Sequence, residues 1–137
     1  MSFIIDVING SQKKYIKKNG IINALQNVFD GEKITQAKVS VILTDNDEIT
    51  RLNEKYLQHE GVTDVISFNL SEEELEGEVY ICVDVAVRQA EEYKVSFNNE
   101  LMRLAVHGTL HILGYDDIND IDRTAMHELE NIYIENC

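Results

Sequence analysis

Phe3, Ile5 and Val7 alternate with Ile4, Asp6 and Ile8, the two-residue period of a strand, and Asn9-Gly10-Ser11 ends it. A helix is predicted next. Ile16, Ala24 and Val28, with Ile21 and Leu25 beside them, form an apolar stripe that contains Gly20 and closes at Asp30-Gly31. Val39, Val41 and Leu43 mark a second strand. Thr44-Asp45-Asn46-Asp47 reads as a helix start with an acidic first turn, and Ile49, Leu52 and Tyr56 give that helix its buried stripe until it ends near Leu57. The polar loop Gln58-His59-Glu60-Gly61 leads to the run Val62-Thr63-Asp64-Val65-Ile66-Ser67-Phe68. A second run, Val79-Tyr80-Ile81-Cys82-Val83, follows it, and the two read as further strands. Between them Ser71-Glu72-Glu73-Glu74-Leu75-Glu76-Gly77 is the most acidic stretch of the chain, expected to be an exposed hairpin loop and not a ligand cage. Asp84 is placed to cap a helix through Tyr93, and Ser96 or Asn98 a longer one through Leu113, with Gly114 where a left-handed C-cap residue belongs. A last helix is expected from about Asp122 to Asn136.

This order of elements predicts an α+β fold: a single domain over residues 1–137, with one mixed, mostly parallel four-stranded sheet packed by about five helices. The size of 15.7 kDa suits one domain that buries its own core. No internal repeat, linker or low-complexity segment interrupts it. The apolar runs are far short of a membrane span, and Met1-Ser2-Phe3-Ile4-Ile5-Asp6 lacks the basic start of a secretion signal, so a cytoplasmic location is expected and no membrane partner. Only two cysteines occur, which excludes a disulfide framework; Cys82, inside an apolar run, is expected in the core.

The net charge of −13 argues against a nucleic-acid partner, because phosphate binding recruits a basic surface. Its distribution softens the objection. Residues 1–38 carry six lysines against three acids, a balance of +3 that leaves −16 for the rest. Lys13, Lys14, Lys17 and Lys18 fall at helical spacing, which predicts one basic patch or a solvated helix face.

The informative segment is His107-Gly108-Thr109-Leu110-His111-Ile112-Leu113-Gly114-Tyr115-Asp116-Asp117. Histidines at i and i+4 project from one helix face a turn apart, so both imidazoles can reach one ion. Gly114 lets the chain turn, and Asp117 is placed to return as a third ligand, leaving an open position as catalytic zinc sites require. The metal site is therefore expected on a helix-turn segment, with one zinc ion (Zn2+) per chain. Asp116, adjacent, is the alternative ligand or a partner of one. The bland reading of the pair is two buried, hydrogen-bonded histidines stabilising the turn. His127 and His59 lack ligand spacing to the pair and read as surface residues, although His59 adjoins a Thr63-Asp64 strand entrance that could line a cleft.

The same spacing matches the long zinc signature of metzincin proteases, but the position of their general base holds Gly108 here, which disfavours peptide hydrolysis. The segment instead resembles the YbeY endoribonucleases, also called rRNA maturation factors, with the signature H-G-x-L-H-x-x-G-Y-D-H. His107 through Asp116 matches it throughout. Asn53-Glu54-Lys55-Tyr56 with Thr63-Asp64-Val65-Ile66-Ser67-Phe68 is similar to the family's N-x-x-Y and T-D-V-L-S-F stretch, and Gly77-Glu78-Val79-Tyr80-Ile81 to its G-D-[IV]-x-I strand. Two positions depart: Asp117 stands where the signature has a third histidine, and Leu57 where an arginine follows the tyrosine. Aspartate is a competent zinc ligand, whereas leucine cannot clamp a phosphate. His59, an N-terminal lysine or Arg103 are the candidate substitutes.

The resemblance implies a metal-dependent, single-strand-specific endoribonuclease. It further implies action in 3'-end maturation of small-subunit rRNA and in ribosome quality control, with ribosomal RNA and the small subunit as partners. Contacts with ribosomal proteins or an assembly GTPase follow as expectations. Within it His107, His111 and Asp117 are the metal ligands, and Asp116 joins His107 and His111 as a catalytic residue that orients a ligand or takes a proton. A second reading is a ribosome-associated assembly factor with a structural metal and little nuclease activity.

Overall fold

The computed structural model describes residues 2–137. In chain order it contains β1 (Ser2–Asn9), α1 (Lys18–Gly31), β2 (Gln36–Thr44), α2 (Asn46–Leu57), β3 (Val65–Asn69), β4 (Glu76–Cys82), α3 (Val83–Tyr93), α4 (Phe97–Ile112) and α5 (Asp120–Ile134). The strands form one sheet in the order β1-β2-β4-β3. β1, β2 and β4 run parallel, with Ile5 opposite Val39 and Val41 opposite Val79. β3 joins β4 antiparallel, pairing Val65 with Ile81, as the short connection between them requires. The α+β class and the mixed, mostly parallel four-stranded sheet with five helices are as expected from the pattern.

The alternation along β4 shows how the sheet divides the interior. Val79 and Ile81 face the larger cluster, which α1, α4 and α5 complete with Leu25, Phe29, Leu101, Leu110 and Met126. Tyr80 and Cys82 face the other side, where α2 and α3 contribute Ile49, Leu52 and Val85. Cys82 is fully buried there. The helix that carries the histidine pair, α4, is thus held against β3 and β4 on one flank and α1, α3 and α5 on the others.

Three local expectations are corrected. Lys13, Lys14 and Lys17 precede α1 and do not lie on a helix. Asn9 keeps the chain turning, accepting from the Ser11 N–H and donating to the Lys13 carbonyl, and Tyr15 takes a left-handed φ of 64°. Asp84 does not cap α3. It sits in that helix's first turn, and its carboxylate accepts from the Asn46 N–H at the start of α2. α5 begins at Asp120, two residues earlier than expected, because Asn119 caps it by accepting from the Asp122 N–H. Elsewhere the caps are as read: Asp45 caps α2 and Ser96, of the two candidates, caps α4.

Candidate metal centre

His107 and His111 lie on the last two turns of α4, one turn apart, with their ring centroids 4.5 Å from each other. The helix then stops in a Schellman arrangement. Gly114 adopts φ 102°, its N–H donates to the His111 carbonyl, and the Tyr115 N–H reaches back to the Leu110 carbonyl. Only a residue tolerant of positive φ allows that reversal, and the reversal returns Asp117 to the histidines. Its Oδ2 stands 3.4 Å from His107 Nε2 and 3.8 Å from His111 Nε2, and the two Nε2 atoms are 3.0 Å apart.

The protonation pattern makes this convergence chemically specific. The Tyr115 carbonyl can only accept, so the His111 Nδ1 within 3.0 Å of it bears the proton. Glu130 Oε2 lies 2.7 Å from His107 Nδ1 and fixes the proton there in the same way. In the neutral form each ring then turns the lone pair of its Nε2 toward the other and toward the Asp117 carboxylate. Three lone-pair donors at this separation repel unless a proton or a metal cation lies between them. Ligand atoms about 2 Å from a tetrahedral ion stand about 3.3 Å from one another, so the donors present fit such an ion. His107, His111 and Asp117 are the group that could hold a metal among the described residues.

Glu130, on α5, is itself buried and is held by Arg103, whose guanidinium donates to Glu130 Oε1 at 3.2 Å and to Asn131 Oδ1 at 2.7 Å. Burial alone would push the His107 pKa down. The hydrogen bond and charge of Glu130, with Asp117 and Asp64, outweigh that and leave it raised. Beside the triad opens a cleft of about 860 Å³ whose wall includes His107, Asp117, Glu130 and Asp64.

The sequence profile described as Endoribonuclease YbeY matches residues 6–137. The chain belongs to the endoribonuclease YbeY family. Proteins named Endoribonuclease YbeY from Salinibacter ruber and Chloroherpeton thalassium are similar to it. The first is 40% identical over 80% of this chain and 76% of the relative, the second 35% identical over 93% and 92%. The solution structure of TM1509 from Thermotoga maritima superposes with a TM-score of 0.67 at 30% identity, covering 96% of this chain and 87% of that one.

Within this YbeY fold Gly108 has a packing role. A Cβ there would lie 2.6 Å from Val79 Cγ1 and 2.9 Å from Ser67 Oγ, and the Ser67 hydroxyl donates to the Gly108 carbonyl. The side of α4 that carries a metalloprotease's general base is thus pressed against β3 and β4, with no room for a carboxylate. The other sequence candidates fall outside the triad. Asp116 accepts from the Ile118 N–H within its own loop. His59 lines a separate depression with Glu54 and Gln58, although Asp64 from the same strand entrance does line the cleft, bonded to Gln89. Leu57 ends α2, and Arg103 is engaged by Glu130 and Asn131. His127 is exposed, as expected, but stands on the cleft wall.

Sequence reasoning missed Glu130 and Glu100. Both carried a signal: Glu130 falls between Met126 and Tyr133 on the buried stripe of α5, and Glu100 beside Leu101 and Leu104 on that of α4. A carboxylate on an apolar stripe is a buried acid awaiting a reason.

Proposed function

We propose that this chain is an endoribonuclease that holds one zinc ion at His107, His111 and Asp117 and cleaves single-stranded RNA. That it is a hydrolytic enzyme follows from its family. The observation that carries the metal reading is the pair of Nε2 atoms 3.0 Å apart, with a carboxylate oxygen 3.4 Å from one of them. A zinc ion bound there supplies Lewis acidity toward a phosphoryl oxygen and toward water.

The chain's own residues then have separate tasks. Glu130 keeps the His107 proton on Nδ1 and the ring oriented, and the Tyr115 carbonyl does the same for His111. Asp116, next to the third ligand, is the candidate to orient that ligand or take a proton. The cleft admits a strand beside the triad, while packing of α4 on the sheet excludes solvent from the far side of the histidines.

The biological setting we propose is 3'-end maturation of small-subunit rRNA and ribosome quality control in the cytoplasm. Ribosomal RNA, the small subunit, ribosomal proteins and an assembly GTPase are the partners in this proposal. The absence of an arginine at Leu57 favours one competing reading, an assembly factor with a structural metal and little nuclease activity.

Elemental analysis of purified wild type, His107→Ala and Asp117→Ala tests the centre, and cleavage of single-stranded RNA by the same proteins tests its use. Stoichiometric zinc and cleavage, both lost in the variants, are expected. Zinc without cleavage would move the reading to the assembly factor, and a metal-free wild type would remove the enzymatic proposal.

A further inference from the structure

An anionic substrate entering the cleft meets four carboxylates, Asp64, Glu100, Asp117 and Glu130, against two arginines, Arg103 and Arg123. The arginines differ in how they are held. The Arg103 side chain is 16% exposed and lies between Glu130 Oε1 at 3.2 Å and Glu100 Oε1 at 3.9 Å. Turning it toward a ligand would strand the buried Glu130. Arg123, in the second turn of α5, is not anchored in this way. Its Nη1 donates to the Ile118 carbonyl at 3.0 Å and more loosely to that of Asp117 at 3.4 Å. Its carboxylate partner, Asp120, is 93% exposed.

An exposed i,i+3 ion pair is weak and exchanges readily with solvent. A phosphodiester would offer the same guanidinium an acceptor of equal charge and matching bidentate geometry. Of the two arginines lining this cleft, Arg123 is therefore the one able to change partners without unpairing a buried acid. Its contacts with the Ile118 and Asp117 carbonyls put the guanidinium beside the segment that delivers the third ligand, within reach of a strand lying across the triad.

We infer that Arg123 forms the phosphate-binding subsite of the cleft, contacting a backbone phosphate next to the bond presented to the metal triad. This rests on the endoribonuclease reading and names how the substrate is gripped. The competing role for Arg123 is purely to pin the loop that carries Asp117. The two roles separate experimentally.

Wild type, Arg123→Ala and Arg123→Lys, each saturated with zinc, are titrated over a range of salt concentrations with a fluorescent single-stranded RNA whose integrity is checked by electrophoresis after each titration. Zinc affinity is measured separately by competition with a chromophoric chelator. The subsite predicts that Arg123→Ala weakens RNA binding about tenfold and flattens the log-log salt slope by about 0.7, as loss of one phosphate contact on a single strand does. It also predicts an unchanged zinc affinity and partial recovery of RNA binding in Arg123→Lys. Unchanged RNA affinity and slope in Arg123→Ala, with wild type still cutting RNA, would overturn the subsite and leave the nuclease reading standing. A fall in zinc affinity that matches the fall in RNA affinity would assign Arg123 to the loop instead. A zinc-loaded wild type that neither binds nor cuts RNA would remove the parent reading as well.

Discussion

At the scale of single residues, the site depends on two buried carboxylates with opposite electrostatic situations. Glu130 is fully partnered, by Arg103 and the His107 Nδ1–H. Glu130→Gln retains the shape and an acceptor for His107 but removes the charge that favours an electron-rich imidazole. Zinc affinity is expected to fall about 10- to 100-fold, the usual effect of losing an outer partner of a metal-binding histidine, while KM for RNA changes little. Competition with a chelator reads this directly, and unchanged affinity would reduce Glu130 to a packing residue. Glu100 is the opposite case. Its Oε1 has no hydrogen-bond partner, and burial raises its pKa to about 7. The folded chain therefore holds a proton that an unfolded Glu, with its pKa near 4.5, releases. Wild-type stability must fall as pH rises from the unfolded to the folded value, and Glu100→Gln escapes that fall. The variant's advantage in chemical denaturation should be small at pH 4.5 and grow to about 3 kcal/mol by pH 8, since each tenfold difference in proton affinity between the folded and unfolded chain corresponds to about 1.4 kcal/mol. Parallel stability profiles for the two proteins would show that Glu100 is ionised without penalty.

At the scale of elements, what could be read from the sequence was what a single element encodes. The i,i+4 histidines and the glycine that reverses the chain after them are properties of α4 and its cap, so the triad followed from local spacing. Glu130 and Arg123 come from α5, and their arrival beside His107 depends on how α5 docks on α4, which no periodicity states. The lysines before α1 failed for a related reason: spacing suggested a helix, but side-chain bonds from Asn9 and the left-handed Tyr15 continue the turn instead. One inter-element device is open to test. Glu32, just beyond α1, accepts from the Tyr115 hydroxyl at 2.5 Å and from that of Tyr133 on α5. It thereby ties the turn that carries Asp117 to two helices. Tyr115→Phe keeps the ring and loses the bond; a loss of about 1 kcal/mol in stability and faster hydrogen exchange across residues 114–119 are expected. Exchange rates equal to wild type in that segment would mean that the Schellman turn holds the loop unaided.

At the scale of the whole molecule, the conflict is between a nuclease fold and a net charge of −13. The N-terminal lysines do not resolve it at the metal. The Lys17 N–H bonds to Asn98 at the beginning of α4, and nine residues of helix separate that point from His107, about 14 Å along the axis. The cleft is left with the proposed metal and the proposed Arg123 contact as attractions for phosphate, so the isolated chain has few cations with which to displace counterions from RNA. Single strands lose affinity with a log-log salt slope of about −0.7 per phosphate neutralised. One or two contacts therefore predict weak binding with a slope between about −0.7 and −1.4, and under the proposed function the remaining affinity comes from partners that present the RNA. Binding of a single-stranded oligonucleotide by anisotropy across a tenfold range of salt measures this. A steep slope would reveal a basic groove that the fold does not suggest. Tight binding with a flat slope would show that the chain grips RNA alone through uncharged contacts, and presentation by the ribosome would then be unnecessary for recognition.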